Sequence, residues 1–296
     1  MTEKRFYNLK NDFVFHVAFQ ECNPALRKFV AALLEIDEGD IHSCEVMNPI
    51  TEGDNINSKD IVMDLLLKLN NSNLINMEMQ IRKYSYLPAR FLFYWARTYN
   101  TLSRGDDYSR LARTYQISIL DHVLFEDDPC FFAKYQLINT DTGHIFSDYI
   151  DLRILSLPLV VQAKPGEEAL VHWTRILNAQ CFEELITLAD GQEELIMLAE
   201  KVNEINNVPW YLSAAEGRAD VEWQKSQCYQ DGITKGITEG IREGSVAQKA
   251  IDEKIIAEKD ALISQKDISL NERNDQINKM QLEIERLQAL LAKSKD

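Results

Sequence analysis

The sequence is sparing in cysteine and histidine, and the few residues of each type are scattered. Five cysteines occur without a CxxC pair, and no histidine stands at zinc-ligand spacing from them. This spacing argues against a disulfide-stabilised scaffold and against a zinc finger. The isolated histidines also give no support to a Ser-His-Asp or Cys-His catalytic arrangement.

Long apolar runs are absent too. No window approaches the roughly twenty uncharged apolar residues that a membrane-spanning helix needs, and Met1 to Lys10 contains no stretch typical of a signal peptide. We therefore expect a cytoplasmic protein with no membrane partner. With 296 residues, of which 45% are hydrophobic, the chain is long enough for one sizeable globular domain and an appendage.

Positive charge is also scarce, because 32 Lys and Arg face 47 Asp and Glu, for a net charge of −15. This balance argues against a general DNA-coating protein. The basic residues are nevertheless concentrated between residues 82 and 113. Arg90, Arg97 and Arg104 recur every seven residues, so on a helix beginning near Pro88 they would form one stripe. We interpret this stripe as a phosphate-contact surface; the alternative is a solvated helix face.

The most informative stretch runs from Lys59 to Gln80. Two β-rich runs flank the polar turn at residues 70–73, which predicts a β-hairpin. Glu78 and Gln80 are two residues apart and therefore share one face of a strand. Asp64, in the first run, joins that face if the hairpin loop has three or five residues, and lies on the opposite face if the loop has four.

Two carboxylates on neighbouring strands of an apolar hairpin would repel each other and lose hydration, at a cost of roughly several kcal/mol if buried. A divalent cation removes that cost. One Asp, one Glu and an amide oxygen form the all-oxygen donor set that Mg²⁺ or Mn²⁺ prefers. The alternative is that these acids lie on a solvated sheet face, and their spacing alone leaves both interpretations open.

These residues resemble a known family. Asp64 followed by Glu78-Met79-Gln80 resembles the Asp…Glu-x-(Gln/Lys) motif of PD-(D/E)xK nucleases, and more specifically that of the Rpn-type recombination-promoting nucleases and transposases. Further stretches that resemble this family, spread over most of residues 8–245, are Asn11–Phe15 with Phe19, Arg90 with Tyr94, and Gly105–Tyr108. His16 stands where Lys is more usual, and Leu155–Pro158 resembles the family's Glu-Leu-Pro-Lys segment only loosely.

The resemblance implies an α/β fold with a PD-(D/E)xK restriction-endonuclease-like core, in which helices flank a mixed sheet. It implies a metal-dependent DNA endonuclease linked to recombination or mobile elements. Asp64 and Glu78 would hold Mg²⁺ or Mn²⁺, which activates water for phosphodiester hydrolysis. Gln80 stands where many relatives have Lys; because Gln cannot take up a proton, it would only orient water or lend its carbonyl oxygen to the ion.

Other residues would complete such a site. Arg82, Arg90 and Arg97 would contact the DNA backbone, and the first helix would lend a further acid, either Asp12 or Glu21. The sequence does not choose between these two acids. The rival function is a non-catalytic interaction protein that keeps the nuclease fold and works through a coiled coil; the acidic composition and the missing Lys favour it.

Changes in composition and in apolar spacing along the chain predict four segments. Residues 1–160 form the nuclease-like core, 161–228 a helical subdomain, 229–250 a connecting helix or hinge with Gly-x-x-x-Gly spacing, and 251–296 a coiled coil. The glycines predict either close helix–helix contact or a hinge. In the last segment, apolar residues recur every seven positions, typical of a self-associating helix; the alternative is a single solvated helix. The recurring residues are Ile256, Ile263, Leu270, Ile277, Ile284 and Leu291.

Within the core, the apolar patterns predict individual elements. Residues 11–35 read as a helix interrupted near Asn23-Pro24. Residues 44–50 read as an edge strand and 51–58 as a polar loop. Residues 115–124, 131–138 and 145–154 read as three more strands. Strand pairs and helices in this order predict a mixed α/β sandwich.

Overall fold

The computed structural model describes residues 5–50, 65–70 and 72–293. The chain divides into two compact units, Met1–Ser226 and Gln227–Asp296. The first unit contains a six-stranded sheet with helices on its faces, and a long helix continues through the second unit. Among the described residues, no helix combines the length and apolar character needed to cross a membrane.

The helices and strands alternate along the first part of the chain. The helices are α1 (Asp12–Glu21), α2 (Asn23–Leu34), α3 (Leu87–Tyr99), α4 (Glu168–Asn178), α5 (Phe182–Ala189), α6 (Glu193–Ile205) and α7 (Pro209–Lys293). The strands are β1 (Cys44–Val46), β2 (Leu65–Leu69), β3 (Asn73–Gln80), β4 (Thr114–Leu120), β5 (Phe132–Ile138) and β6 (Ile145–Ser156).

The sheet has the strand order β1-β2-β3-β4-β6-β5. β3 and β4 are parallel, as are β4 and β6, and the remaining neighbours are antiparallel. A parallel pair needs a crossover connection, and α3 lies between β3 and β4 in the chain. The predicted fold class, a mixed sheet flanked by helices, is therefore confirmed.

The predicted break in the first helix is present. α1 ends at Glu21 and α2 begins at Asn23, with Pro24 in its first turn, where a missing backbone N–H leaves no helical hydrogen bond unmade. At the start of α1, Asn11 Oδ1 accepts hydrogen bonds from Phe13 N (3.1 Å) and Val14 N (3.2 Å). This side-chain cap fixes where α1 begins.

One face of the central strands is apolar and packs against α1 and α2. On β3 this face carries Ile75, Met77 and Met79, all of them part of the main hydrophobic core. Aromatic rings extend that core toward α4: the centroid of Phe29 lies 5.4 Å from Phe19 and 4.6 Å from Trp173. Complete burial of each such side chain stabilises the fold by about 1.5–3 kcal/mol.

Several predicted boundaries differ from the structure. The edge strand covers only Cys44–Val46 of the predicted 44–50, and the predicted polar loop at 51–58 lies outside the described residues. The predicted strand at 115–124 ends at Leu120. The β5–β6 hairpin matches its prediction closely.

The basic stripe is shorter than predicted. α3 begins at Leu87, in agreement with the helix expected near Pro88, but ends at Tyr99, so that Arg104 lies beyond the helix. The following residues include Thr101, Ser103 and Gly105, which disfavour helix, and Gly105 has φ +95°. Of the three arginines, only Arg90 and Arg97 therefore belong to α3.

The C-terminal quarter is helical through Lys293. The glycine pattern had left a connecting helix or a hinge open for 229–250, and the heptad pattern predicted a helix for 251–296. α7 contains 85 residues and includes the glycines of the 229–250 segment. No described atom outside the local helix backbone lies within 4 Å of a Cβ built on Gly232, Gly236, Gly240 or Gly244. Self-association of this helix stays a prediction.

Candidate active site

A row of polar side chains lies on the sheet face opposite α1 and α2. We call Asn76, Glu78 and Gln80 of β3, with Gln116 and Ser118 of β4, the polar row. Asn76 is the register partner of Gln116, and Glu78 that of Ser118. All five residues are buried, and Glu78 is only 2% exposed. Because strand side chains alternate, the residues between them, Met77 and Met79 on β3 and Ile117 on β4, face the core.

The amides of the polar row bond to one another or to nearby backbone. Asn76 Nδ2 donates to Gln116 Oε1 at 2.9 Å, and Gln116 Nε2 donates to Ser118 Oγ at 3.4 Å. Gln80 Nε2 donates to the backbone oxygen of Arg82 at 3.0 Å. Buried polar groups need such partners, so these bonds fix the orientation of the row.

Arg90 of α3 contacts both Glu78 and Gln80. Its Nη2 donates to Glu78 Oε1, and its Nη1 lies 3.4 Å from Gln80 Oε1. The guanidinium carbon also lies 5.0 Å from the ring centroid of Tyr94, one helical turn further along α3. A buried carboxylate requires a positive partner, and for Glu78 the first turn of α3 supplies it.

The other predicted DNA-contact arginines lie in different surroundings. Arg82 follows β3; its Nη1 donates to Ser226 Oγ at 2.5 Å and its Nε lies 4.0 Å from Glu222 Oε2. Arg97 is exposed in the last turn of α3, where a positive charge interacts favourably with the helix dipole. The structure therefore brings only Arg90 onto Glu78.

The two candidate acids of the first helix lie at opposite ends of α1. The helix has ten residues, so Asp12 and Glu21 are separated by about 13 Å along its axis, and one ion cannot bind both. Asp12 Oδ2 accepts from Arg218 Nε at 3.0 Å. Glu21 accepts from Lys201 Nζ at 2.6 Å and from the Tyr211 hydroxyl at 2.9 Å.

Lys201 is held tightly in its cluster. Burial lowers the pKa of Lys201, but hydrogen bonds to Glu21, Glu204 and Tyr211 outweigh burial and raise the pKa above its ordinary value. This lysine therefore stays charged, and Glu21 serves as its counter-ion.

Two bonds link the Asp12 end of α1 to the strand that carries Glu78 and Gln80. Lys10 Nζ lies 3.0 Å from Asp121 Oδ2, and the Asp121 backbone N–H donates to the Gln80 carbonyl at 3.1 Å. These two bonds connect the residues just before α1 to the C-terminal end of β3. Glu21 has no such connection among the described residues.

The hairpin loop has three residues. Leu69 pairs with Asn73, and Leu65 pairs with Met77, so three residues separate the strands. This is one of the two loop lengths for which Asp64 was expected on the face of Glu78. Asp64 itself, like the rest of 51–64, lies outside the described residues.

The donor chemistry of the row suits a cation. Glu78 and Gln80 direct side-chain oxygens at one positive group, the Arg90 guanidinium. Within the described part of the chain, no group of three or more His, Cys, Asp or Glu residues is placed to hold a metal ion. The two oxygens of β3 are of the chemical type that hard cations bind in proteins.

His122, which sequence analysis treated as isolated, lies close to the same end of the sheet. It follows β4 directly after Asp121. Burial lowers the pKa of the His122 imidazole, an effect opposed by the backbone of Ile81 and the charge of Asp121 and assisted by Lys83. His122 is therefore mostly neutral at pH 7.

Asn76, Gln116 and Ser118 also belong to the site, although the sequence did not predict them there. The available signal was the alternation of polar and apolar residues along Thr114–Leu120, a strand in which every residue is buried. Polar side chains on a strand buried on both faces indicate a polar interior. Their place beside Glu78 depends on the β3–β4 register, which no local pattern specifies.

A family model, described as PD-(D/E)XK nuclease family transposase, matches residues 9–231. The matched region contains the whole polar row, Arg90 and both candidate acids of α1. No curated protein and no solved structure matches the chain.

Proposed function

This chain belongs to the PD-(D/E)XK nuclease family transposases, and on that premise we propose that it is a metal-dependent DNA endonuclease acting in recombination or in the movement of mobile elements. The family implies a nuclease- or transposase-related function with DNA as substrate, and nucleases of this class typically use divalent metals. The observation that carries the finer proposal is the convergence of the Glu78 and Gln80 oxygens on one cationic group in a buried polar row.

In this proposal Asp64 and Glu78 hold Mg²⁺ or Mn²⁺. When bound, such an ion lowers the pKa of a coordinated water and stabilises negative charge on the phosphoryl group. Gln80 cannot accept a proton, so its role is to orient water or to lend its carbonyl oxygen. The burial of Glu78 excludes bulk water from this side of the site.

The remaining assignments follow from position and charge. The bonds that connect the start of α1 to Gln80 support Asp12 rather than Glu21 as an additional acid. Arg82, Arg90 and Arg97 are proposed to contact the phosphate backbone. Association of chains through residues 251–296 and the domain boundaries set out above belong to the same proposal. The cytoplasmic location stays a prediction.

The second candidate function is a nuclease-fold scaffold without catalysis. Two features favour it: Gln80 stands where the resemblance set out above places Lys in many nucleases, and α7 leaves a row of large apolar side chains exposed. The exposed residues include Ile256, Ile263, Leu270, Ile277 and Ile284. Such a helix is suited to partner binding whether or not the site cleaves DNA.

Cleavage of supercoiled plasmid separates the two functions. We expect nicking by the purified protein with Mg²⁺ or Mn²⁺, and a fall to background in Asp64→Ala and Glu78→Gln. Glu45→Gln on β1, which β2 separates from β3, is the matched control, because Glu45 is exposed and the chemical change is the same as in Glu78→Gln. Its nicking should equal that of the unaltered protein.

Circular dichroism on each variant shows whether the fold is intact. Equal nicking by the unaltered protein and by folded Asp64→Ala would remove Asp64 from the site. The absence of nicking by a folded, unaltered protein with either metal would favour the scaffold.

A further inference from the structure

The position of Arg90 has a consequence for how a metal ion reaches Glu78. The guanidinium donates to Glu78 Oε1 and lies 3.4 Å from Gln80 Oε1. In the proposed function, these two oxygens bind the ion or the water that it coordinates. A divalent ion would need to lie about 2 Å from the same carboxylate, where it would repel the guanidinium strongly in a buried setting.

We infer that Arg90 competes with the divalent ion for Glu78, and that a DNA phosphate relieves the competition by taking Arg90 as its own partner. This inference rests on the proposed function and deepens it. DNA binding and metal binding then reinforce one another. Arg90 is in this sense a positioning residue, because it acts through Glu78.

Charge balance favours such an exchange. Without DNA, the buried carboxylate of Glu78 is compensated by Arg90. With DNA, the ion compensates Glu78, and the phosphate compensates Arg90. Since a buried charge that loses its partner is costly, neither step is favourable alone: removal of Arg90 takes its positive charge away from Glu78, and entry of the ion leaves two cations side by side.

Arg90 is also placed to move. Its side chain is 30% exposed, whereas that of Glu78 is 2% exposed. Its contact with Gln80, at 3.4 Å, is at the long end of the hydrogen-bond range. The Tyr94 ring beneath the guanidinium offers a cation–π contact that persists when the polar partner changes. Guanidinium groups bind phosphate oxygens in a bidentate manner, so a phosphate is a suitable new partner.

Thermodynamic linkage makes the inference measurable. If DNA raises the affinity for the ion by some factor, the ion raises the affinity for DNA by the same factor, and couplings of about 5- to 150-fold are typical. Loss of the Arg90 charge should remove most of this factor. If Arg90 served only to hold the Glu78 side chain in place, the opposite result is expected, because the loss of Arg90 would then disorder Glu78 and weaken ion binding.

The test is calorimetric titration of Ca²⁺, a hard cation with oxygen ligands, into the full-length protein with and without a short DNA duplex. A gel after each titration shows that the duplex is intact. We expect the duplex to tighten Ca²⁺ binding by about 10-fold in the unaltered protein. Arg90→Gln should bind Ca²⁺ about 10-fold more tightly without DNA and gain little from the duplex.

Two further variants control the experiment. Arg175→Gln makes the same change at an exposed position in the last turn of α4 and should keep the coupling. Arg90→Lys keeps the positive charge and should keep the weak DNA-free affinity. Thermal unfolding shows that each variant is folded. If Arg90→Gln does not fold, the coupling in the unaltered protein and the DNA-free Ca²⁺ affinity of Arg90→Lys still test the inference.

Several outcomes would overturn the inference. Unchanged or weaker Ca²⁺ binding by folded Arg90→Gln without DNA would show that Arg90 does not compete. An absence of coupling in the unaltered protein would do the same. Either result together with metal-dependent nicking would leave the proposed function standing, whereas no Ca²⁺ binding under any condition would overturn the metal site along with this inference.

Discussion

At the scale of single residues, two buried carboxylates are compensated in different ways. Asp151 accepts from Arg153 Nε at 2.9 Å and from Arg113 Nη2 at 3.1 Å, and Arg153 also bonds the Leu33 carbonyl at 2.8 Å. These bonds fix Arg153, a residue of β6, against α2. Glu78 instead pairs with Arg90, a residue of α3 whose side chain is partly exposed. We interpret the first arrangement as structural and the second as exchangeable.

The His122 imidazole makes stability depend on pH. Burial lowers its pKa below the ordinary value of 6.5, Ile81 and Asp121 oppose this shift, and Lys83 adds to it. The folded protein thus binds the proton more weakly than the unfolded chain. Stability therefore falls as the pH drops below 6.5, and this contribution is fully lost once the pH lies below the folded pKa.

His122→Gln removes that contribution. We expect the variant to lose less unfolding free energy than the unaltered protein between pH 7.5 and pH 5.5, measured by urea denaturation. The exposed His144, in the β5–β6 turn, provides the control, and His144→Gln should follow the unaltered protein. A His122→Gln protein with the same pH dependence as the unaltered one would refute the assignment.

At the scale of elements, α3 links the sheet to the candidate site. Leu87 and Phe91 pack it onto Leu120 and Ile154 of the sheet, and Arg90 lies between these two anchors in sequence. The same helical turn therefore holds an apolar contact and the Glu78 pair. Because Leu120 is the register partner of Gln80, the packing of α3 sets the position of Arg90 over β3.

The glycines of α7 give a prediction for that element. A Cβ on Gly236 or Gly240 meets no described atom within 4 Å, and Ala is better than Gly in a helix by about 1 kcal/mol. Gly236→Ala with Gly240→Ala should therefore raise the temperature at which α7 loses helical circular dichroism.

Gly191→Ala is the contrasting control, because Gly191 has φ +75°, where a side chain costs about 1–2 kcal/mol. It should destabilise the protein. Weaker self-association of the double Ala variant in sedimentation would instead indicate that the glycines form a close contact between helices.

At the scale of the whole molecule, the core ends well before the chain does. The last residue of the hydrophobic core is Ala215, and the compact first unit ends at Ser226. A protein that stops after Ser226 keeps the complete core, including the Arg82 contact with Ser226. The exposed apolar residues of the second unit are removed.

We expect the shortened protein to unfold within about 4 °C of the full chain, a shift that corresponds to about 1 kcal/mol. It should sediment as a monomer at concentrations where the full chain associates. A large drop in the unfolding temperature would show that residues after 226 stabilise the first unit. Retained association would place the contact outside residues 251–296.

The sequence by itself determined the features that depend on short periods. Glu78 and Gln80 share a strand face because side chains alternate, and α3 begins near Pro88 because proline suits a first helical turn. The broken first helix, the β5–β6 hairpin and the helical C-terminal quarter follow from equally local patterns. The family resemblance rests on the same short motifs, and the family model matches residues 9–231.

Only the tertiary structure decided which distant residues meet. The parallel register of β3 and β4 places Gln116 and Ser118 beside Asn76 and Glu78, and the chain's return along α7 pairs Asp12 with Arg218, 206 residues away. Arg90 appears in the sequence as one basic residue of a stripe, yet in the fold it compensates Glu78. Such contacts join segments far apart in the chain, and because local periodicity carries no information about which segments pack together, they became visible only in the folded molecule.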